Sequence, residues 1–347
     1  MSSSAVSEAV GIDRSSVTAW IRSLGLDVVG TLNFERIGLG QSNLTFLVTD
    51  EAGHRWVLRR PPLGHLLASA HDVAREARIL SALGDTVVPV PRVYGLTQDT
   101  RFTDATLLLM EFVDGLVVDR MPVAESLTPQ RRREIGLALP KTLAQIHAVD
   151  VKQCGLDDLA SHKPYAQRQL RRWSRQWEES KTRELPEFDS VTARLAAAVP
   201  EQHELSLVHG DFHIRNVITA QERGDVVAAL DWELSTLGDP LADMGSMLAY
   251  WPEAGEDTAF DFAPTVLDGF PSRDELASTY INETGRDAAA LKYWHALGLW
   301  KIAVIAEGVM RRAMDEPQNK AADGTPTVEQ IDGLVRMATQ VADEAGI

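Results

Sequence analysis

The sequence predicts an α+β protein of two lobes, a small antiparallel sheet carrying one key helix followed by a larger, mainly helical part. Three observations carry this. Residues 34 to 113 hold short apolar runs broken by glycine and proline, with one helical stretch among them. From about 115 onward the apolar spacing is helical almost throughout, over 128–149, 164–180, 272–284, 288–313 and 327–344. That pattern is interrupted once, by the β-type runs from Leu205 to Glu233. The division is expected near 111–114, giving 1–113 and 114–347 as the two domains, with 1–30 as a helical extension of the first.

Taken in order, Val17, Ile21 and Leu24 stand at helical spacing and Gly25 closes the turn. F-E-R-I-G-L-G, N-L-T-F-L-V-T-D and R-W-V-L-R-R-P-P read as three strands of an antiparallel meander. The next segment places Val73, Ala77 and Leu80 on one helical face and stops at Gly84. V-P-V-P-R-V-Y-G-L and T-L-L-L-M-E-F-V restore strand character until Asp114-Gly115 ends it. In the helical half, L-S-L-V-H-G-D-F-H-I-R-N-V and D-V-V-A-A-L-D-W-E read as short strands, and a helix is expected to begin near Leu241.

Composition narrows the function classes. The chain has 347 residues, 44% hydrophobic and 24% charged, ordinary values for a globular protein of this length. With 34 Lys plus Arg against 50 Asp plus Glu, the formal charge of −16 disfavours nucleic acid and anionic membrane as partners. The single cysteine, Cys154, cannot form an internal disulfide, and no Cys/His group has the spacing of a structural zinc site. No apolar run approaches a membrane span and the first residues lack the pattern of a secretory signal, so a cytoplasmic location is expected. The sequence is silent on oligomeric state.

The chemistry concentrates in H-G-D-F-H-I-R-N. Asp211 and Asn216 lie five positions apart, and Asp231 follows the run V-V-A-A-L. Two neighbouring strands ending in carboxylate and carboxamide oxygens suit a hard cation such as Mg²⁺, and Asp211 is placed to take a proton from an attacking hydroxyl. This is the division of labour of a kinase catalytic loop. The stretch resembles the aminoglycoside phosphotransferase family, whose H-G-D-x-x-x-x-N motif stands here as His209, Gly210, Asp211 and Asn216, with Asp231-Trp232-Glu233 and G-D-P-L-A-D-M after it. The resemblance implies a bilobal protein-kinase-like fold, Asp211 as catalytic base, Asn216 and Asp231 on Mg²⁺, and ATP as phosphoryl donor. It gives His209 a bracing role and leaves His213 without one. Asp239 and Asp243 read as helix-start residues, with support of the metal loop as the family's alternative.

A kinase-like fold needs a cation on the third strand and a glutamate on the next helix. Arg59 and Glu76, 17 residues apart, answer to these, with arginine where protein kinases use lysine. Arg59 and Arg60 must face opposite ways along a strand, and Arg59 matches the lysine position. The turn I-G-L-G-Q-S-N offers Gly40, Ser42 and Asn43 to phosphates, or is an ordinary hairpin loop. Glu111 and Val113, at the strand-to-hinge connection, are expected to hold adenine through backbone groups.

The acceptor is expected to be a small molecule, because no long activation loop and no A-P-E follow Asp231. W-V-L-R-R-P-P-L-G-H-L-L-A-S-A-H-D-V-A-R-E and L-D-W-E-L-S-T-L-G-D-P-L-A-D are similar to the branch of the family fused to acyl-CoA dehydrogenases. That resemblance implies a hydroxyacyl-CoA acceptor, with an aminoglycoside as the alternative and an inactive nucleotide-binding module as the rival of another class. Arg168, Arg171, Arg172 and Arg175 share one helical face, either for CoA phosphates or for solvent. Tyr293, Trp294, Trp300 and Lys301 either line an acceptor pocket or belong to a core helix.

Overall fold

The computed structural model describes residues 11–38, 43–63, 72–159, 164–256, 263–315 and 325–347. The chain divides into two compact units, one made of Met1–Asp114 with Ala228–Glu233, the other of Gly115–Val227 with Leu234–Ile347. The architecture is α+β.

The first unit opens with α1 (Arg14–Ser23), started by the Asp13 carboxylate accepting from the Ser15 and Ser16 amides. Its sheet has five antiparallel strands, β1 (Asn33–Ile37), β2 (Leu44–Thr49), β3 (Arg55–Arg60), β4 (Val93–Thr97) and β5 (Leu107–Glu111). The order is β1-β2-β3-β5-β4, so the expected meander holds for three strands and the fifth then inserts ahead of the fourth. The reason lies in the residues: Leu107, Leu108, Leu109 and Met110 are all buried and need cover on both sides, whereas β4 has no fully buried residue and takes the edge. One face of the sheet, with Phe34, Phe46, Val48, Trp56, Leu58, Leu107 and Leu109, packs with Val17, Trp20 and Ile21 of α1. Helix α2 (Val73–Leu83) is capped by Asp72 and packs against β4 and β5.

The second unit contains α3 (Met121–Glu125), α4 (Pro129–His147), α5 (Tyr165–Ser180), α6 (Pro186–Ala197), α7 (Pro240–Ala249), α8 (Arg273–Thr284), α9 (Leu291–Asp315) and α10 (Val328–Glu344). The sequence pattern marks all of these except α3, which is barely one turn, and α6. The latter does carry a start signal, Pro186 followed by Glu187 and Asp189 in the first turn. Helix α9 packs against α5, α6, α7 and α10, and most of its residues are buried. Its approach to α7 depends on Gly245, where a Cβ would stand 2.3 Å from the Trp294 carbonyl carbon.

Four short strands complete the fold: β6 (Ser206–Val208), β7 (Val217–Thr219), β8 (Val226–Ala229) and β9 (Thr236–Gly238). β6 pairs with β9, and β7 with β8. The strands that precede Asp211 and Asp231 are therefore not paired neighbours, contrary to expectation. A period-2 reading cannot choose partners for strands of three or four residues. No helix among the described residues is long and apolar enough to cross a membrane.

Candidate active site

In the first unit, strand alternation decides which arginine does what. Leu58 lies on the α1 face, so Arg59, level with Leu108 of β5, points to the α2 side. There its NH1 donates to Glu76 at 2.5 Å and its NH2 to Asp231 at 2.9 Å. Arg60 turns the other way, donating to the Gly11 carbonyl and pairing with Asp104 at 3.2 Å. The segment 228–233 is tied to this unit by the Ala229 N–H, which donates to the Pro89 carbonyl at 2.8 Å.

Asp231 has φ +65°, the only positive φ of a non-glycine residue among the described residues. An L-residue there is held against a cost of about 1–2 kcal/mol, which aspartate tolerates better than most. Glu76 is buried, and burial pushes its carboxyl up to about 7; Arg59 pulls the other way, while Asp231 and Glu233 add to the rise. One guanidinium thus faces three carboxylates, and Glu233 also accepts from the Asn43 amide at 3.3 Å.

In the second unit, the loop after β6 is fastened at several points. Gly210 has φ +85°, and a Cβ there would lie 2.7 Å from the Leu234 carbonyl oxygen, so only glycine fits the bend. Asp243 of α7 is buried, and its carboxylate accepts from the His209 N–H at 2.6 Å and the Gly210 N–H at 2.8 Å. It also meets His147 Nε2 at 3.2 Å, and His147 Nδ1 is 2.6 Å from the Tyr280 hydroxyl. Asp239 caps α7 by accepting from the Leu241 N–H at 2.9 Å. Both aspartates stand at the start of α7 as expected, Asp239 as its cap and Asp243 in its first turn, and Asp243 also braces the 209–210 loop.

Asn216 Nδ2 donates to the Asp211 carbonyl at 2.9 Å and to its Oδ2 at 3.1 Å. The Asp211 N–H donates to His209 Nδ1 at 3.3 Å. His213 Nε2 lies 3.5 Å from Asp211 Oδ2 and 3.3 Å from Asn216 Nδ2, and its ring packs on Tyr250. Lys301 Nζ donates to the Gly210 carbonyl at 2.8 Å. Burial works to raise the Asp211 pKa, but the charges of His213, Lys301 and His209 and the His213 hydrogen bond hold it well below the carboxylate range. Asp211 is therefore an ionised acceptor of low basicity, suited to orienting a hydroxyl.

Each unit offers oxygen donors of the kind a hard cation takes: in the second, Asn216 spends its amide hydrogens on Asp211 and keeps Oδ1 as an acceptor, and in the first, the carboxylates around Arg59 exceed its charge. Among the described residues no group of three or more His, Cys, Asp or Glu could hold a metal ion. Val113 makes no backbone hydrogen bond among the described residues, whereas the Glu111 N–H is committed to the Arg92 carbonyl at 2.8 Å, leaving only its carbonyl for a ligand. Gly40 and Ser42 lie outside the described residues.

Asp211 meets Asn216 in the second unit, and Arg59 meets Glu76 and Asp231 in the first. Sequence reasoning had no role for His213, although its place between Asp211 and Asn216 in the motif was a signal. On α5, Trp173 and Trp177 are buried while Arg171, Arg172 and Arg175 are exposed, and Arg168 turns inward to the Leu237 carbonyl at 2.6 Å.

Residues 33–294 match the model of the phosphotransferase enzyme family. The chain is 31% identical over 348 residues to mouse (Mus musculus) acyl-CoA dehydrogenase family member 10, covering 98% of this chain and 32% of that protein. A solved structure from Ralstonia eutropha, provisionally assigned as an aminoglycoside phosphotransferase, aligns with TM-score 0.77 and 29% identity over 96% of this chain and 99% of that one. Choline kinase from Cryptosporidium parvum shares the fold, with TM-score 0.63 and 13% identity over 95% of this chain and 93% of the other. The chain spans about a third of the length of the curated relatives it matches.

Proposed function

Since the chain belongs to the phosphotransferase enzyme family, we propose that it transfers the terminal phosphoryl group of Mg-ATP to a hydroxyl of a small molecule, a hydroxyacyl-CoA first among the candidates. The observation that carries this reading is the pair Asp211 and Asn216, joined at 3.1 Å in a loop braced by Asp243. The acceptor hydroxyl would donate its hydrogen bond to the Asp211 carboxylate, which aims an oxygen lone pair at phosphorus. The oxygen–phosphorus bond then forms as the bridging bond to ADP breaks, and the hydroxyl proton passes to Asp211. Because Asp211 is a weak base, the proton leaves late, in keeping with catalysis by positioning and charge neutralisation.

Arg59, held by Glu76, would pair with ATP phosphates. Asn216 Oδ1 and Asp231 would hold Mg²⁺, whose chemistry is to neutralise phosphate charge as the bond breaks. Glu111 O and the Val113 N–H would meet adenine. The acyl-CoA preference rests on the relatives, which are named for acyl-CoA dehydrogenases.

The deciding experiment measures ADP release with Mg²⁺ and ATP across hydroxyacyl-CoAs, aminoglycosides and simple alcohols. Release stimulated only by aminoglycosides would move the acceptor to that class; ATP binding without release for any acceptor would favour an inactive nucleotide-binding module. Asp211→Asn should lower transfer by about 10²–10⁴-fold, the usual worth of a general base, with ATP affinity within about twofold. Unchanged turnover would remove Asp211 from its role.

A further inference from the structure

Beside the 209–211 loop, α5, α7 and α9 enclose a partly open cavity of about 20 Å³, room for about one water-sized group. Its walls are apolar or aromatic, with Trp173, Trp294 and Leu297 among them, and Gly210 lies at its edge. Its polar atoms are unusual. Ser246 and Trp294 are 6% and 2% exposed, yet Ser246 Oγ and Trp294 Nε1 have no hydrogen-bond partner among the described residues. An indole N–H can only donate, and leaving such a donor buried and unmet costs about 1–3 kcal/mol.

The other polar groups point to the same need. Lys301 Nζ spends one hydrogen on Gly210 and has two more to give. Gln169 Oε1 accepts from Trp173 Nε1 at 2.9 Å, which leaves its NH₂ as a donor. The one carboxylate in the lining, Asp243, is already met by His209, Gly210 and His147. Hydroxyls such as Ser246 Oγ can adapt by donating or accepting, but the Trp294 indole N–H can only donate and has nothing to donate to among the described residues. What would complete it is an oxygen atom brought by a ligand.

Resting on the phosphotransferase reading above, we propose that this cavity is an acceptor subsite. It seats a carbonyl or carboxylate oxygen of the molecule whose hydroxyl is presented to Asp211. Trp294, Ser246 and Lys301 are its specificity-determining residues, and an ammonium group is disfavoured there. Burial, with Arg172, draws the Lys301 pKa down by more than Asp211 and Asp243 raise it, so the bar to an ammonium group is the Trp294 indole N–H, which can only donate.

The test uses the full chain with Mg²⁺ and three sets of probes: methyl thioesters of hydroxyhexanoate with the hydroxyl on carbon 3, 4 or 5, the matched hexanols, and the matched aminohexanols. Binding is followed by isothermal titration calorimetry in the presence of a non-hydrolysable ATP analogue, and turnover by ADP release with ATP. At least one thioester should bind about tenfold or more tightly than its hexanol and aminohexanol. Trp294→Phe and Ser246→Ala, which keep the packing, should each weaken that thioester about three- to tenfold, the worth of one hydrogen bond. The loss should fall on KM, with kcat and analogue affinity within about twofold. Equal binding of the three probe classes, no binding of any thioester, or unaltered variants would overturn the subsite, leaving a cavity that holds water only. Thioester binding lost in Trp294→Phe, with no ADP release from any probe, would instead uphold the subsite and count against phosphoryl transfer.

Discussion

Arg59 shows how far one side chain can be argued. Its two terminal nitrogens hold Glu76 and Asp231 at once, a task that the single nitrogen of lysine cannot repeat in the same geometry. Arg59→Lys should therefore weaken ATP binding by about tenfold, roughly 1.4 kcal/mol, rather than restore a better site. Equilibrium titration of a fluorescent ATP analogue checks this, and tighter binding by the lysine variant would show that arginine is not a clamp. The pairing of Arg59 with Glu76 was legible beforehand, because alternation sets Arg59 and Arg60 on opposite faces, Arg59 stands at the position of the kinase lysine, and Glu76 follows 17 residues later on the next helix. The role of His213 was not legible, and for Asp243 a supporting role came only from the family resemblance, beside the helix-start reading. Their partners are set by loop geometry and by a helix 33 or 34 residues away in sequence, which no periodicity encodes.

At the level of elements, the long helices and the first three strands followed from apolar spacing and from the glycines and prolines that bound them. Strand order did not, since β5 takes its central place through burial on both sides and not through any local signal. The contact of α7 with α9 is the element-scale feature on which the proposed subsite depends, because Ser246 and Trp294 stand on its two sides. Gly245→Ala would drive a methyl group against the Trp294 backbone. The expected cost is about 1–3 kcal/mol, the usual range for overpacking. Urea unfolding measures it: the midpoint should fall with the slope unchanged, and an unaltered midpoint would mean that the helices separate freely there.

For the molecule as a whole, stability in acid is bound to His295, buried within α9. Burial, with the Arg273 and Lys292 charges, depresses its pKa from 6.5 to about 3. A depressed folded-state pKa means that the unfolded chain binds the proton first. The stability is full above pH 6.5 and is lost as pH falls toward 3, by about 1.4 kcal/mol per pH unit for this one group. His295→Gln, neutral throughout, should remove that share. The unfolding free energy of wild type minus that of the variant should decline from pH 6.5 to 4, and a flat difference would show that His295 charges freely in the native state.

The left-handed backbone at Asp231 narrows what can stand there. Glycine would adopt the bend without steric penalty but would leave the buried Arg59 guanidinium paired with Glu76 alone among the described residues, so a single side chain carries both the strain and the charge pairing at this point of the chain.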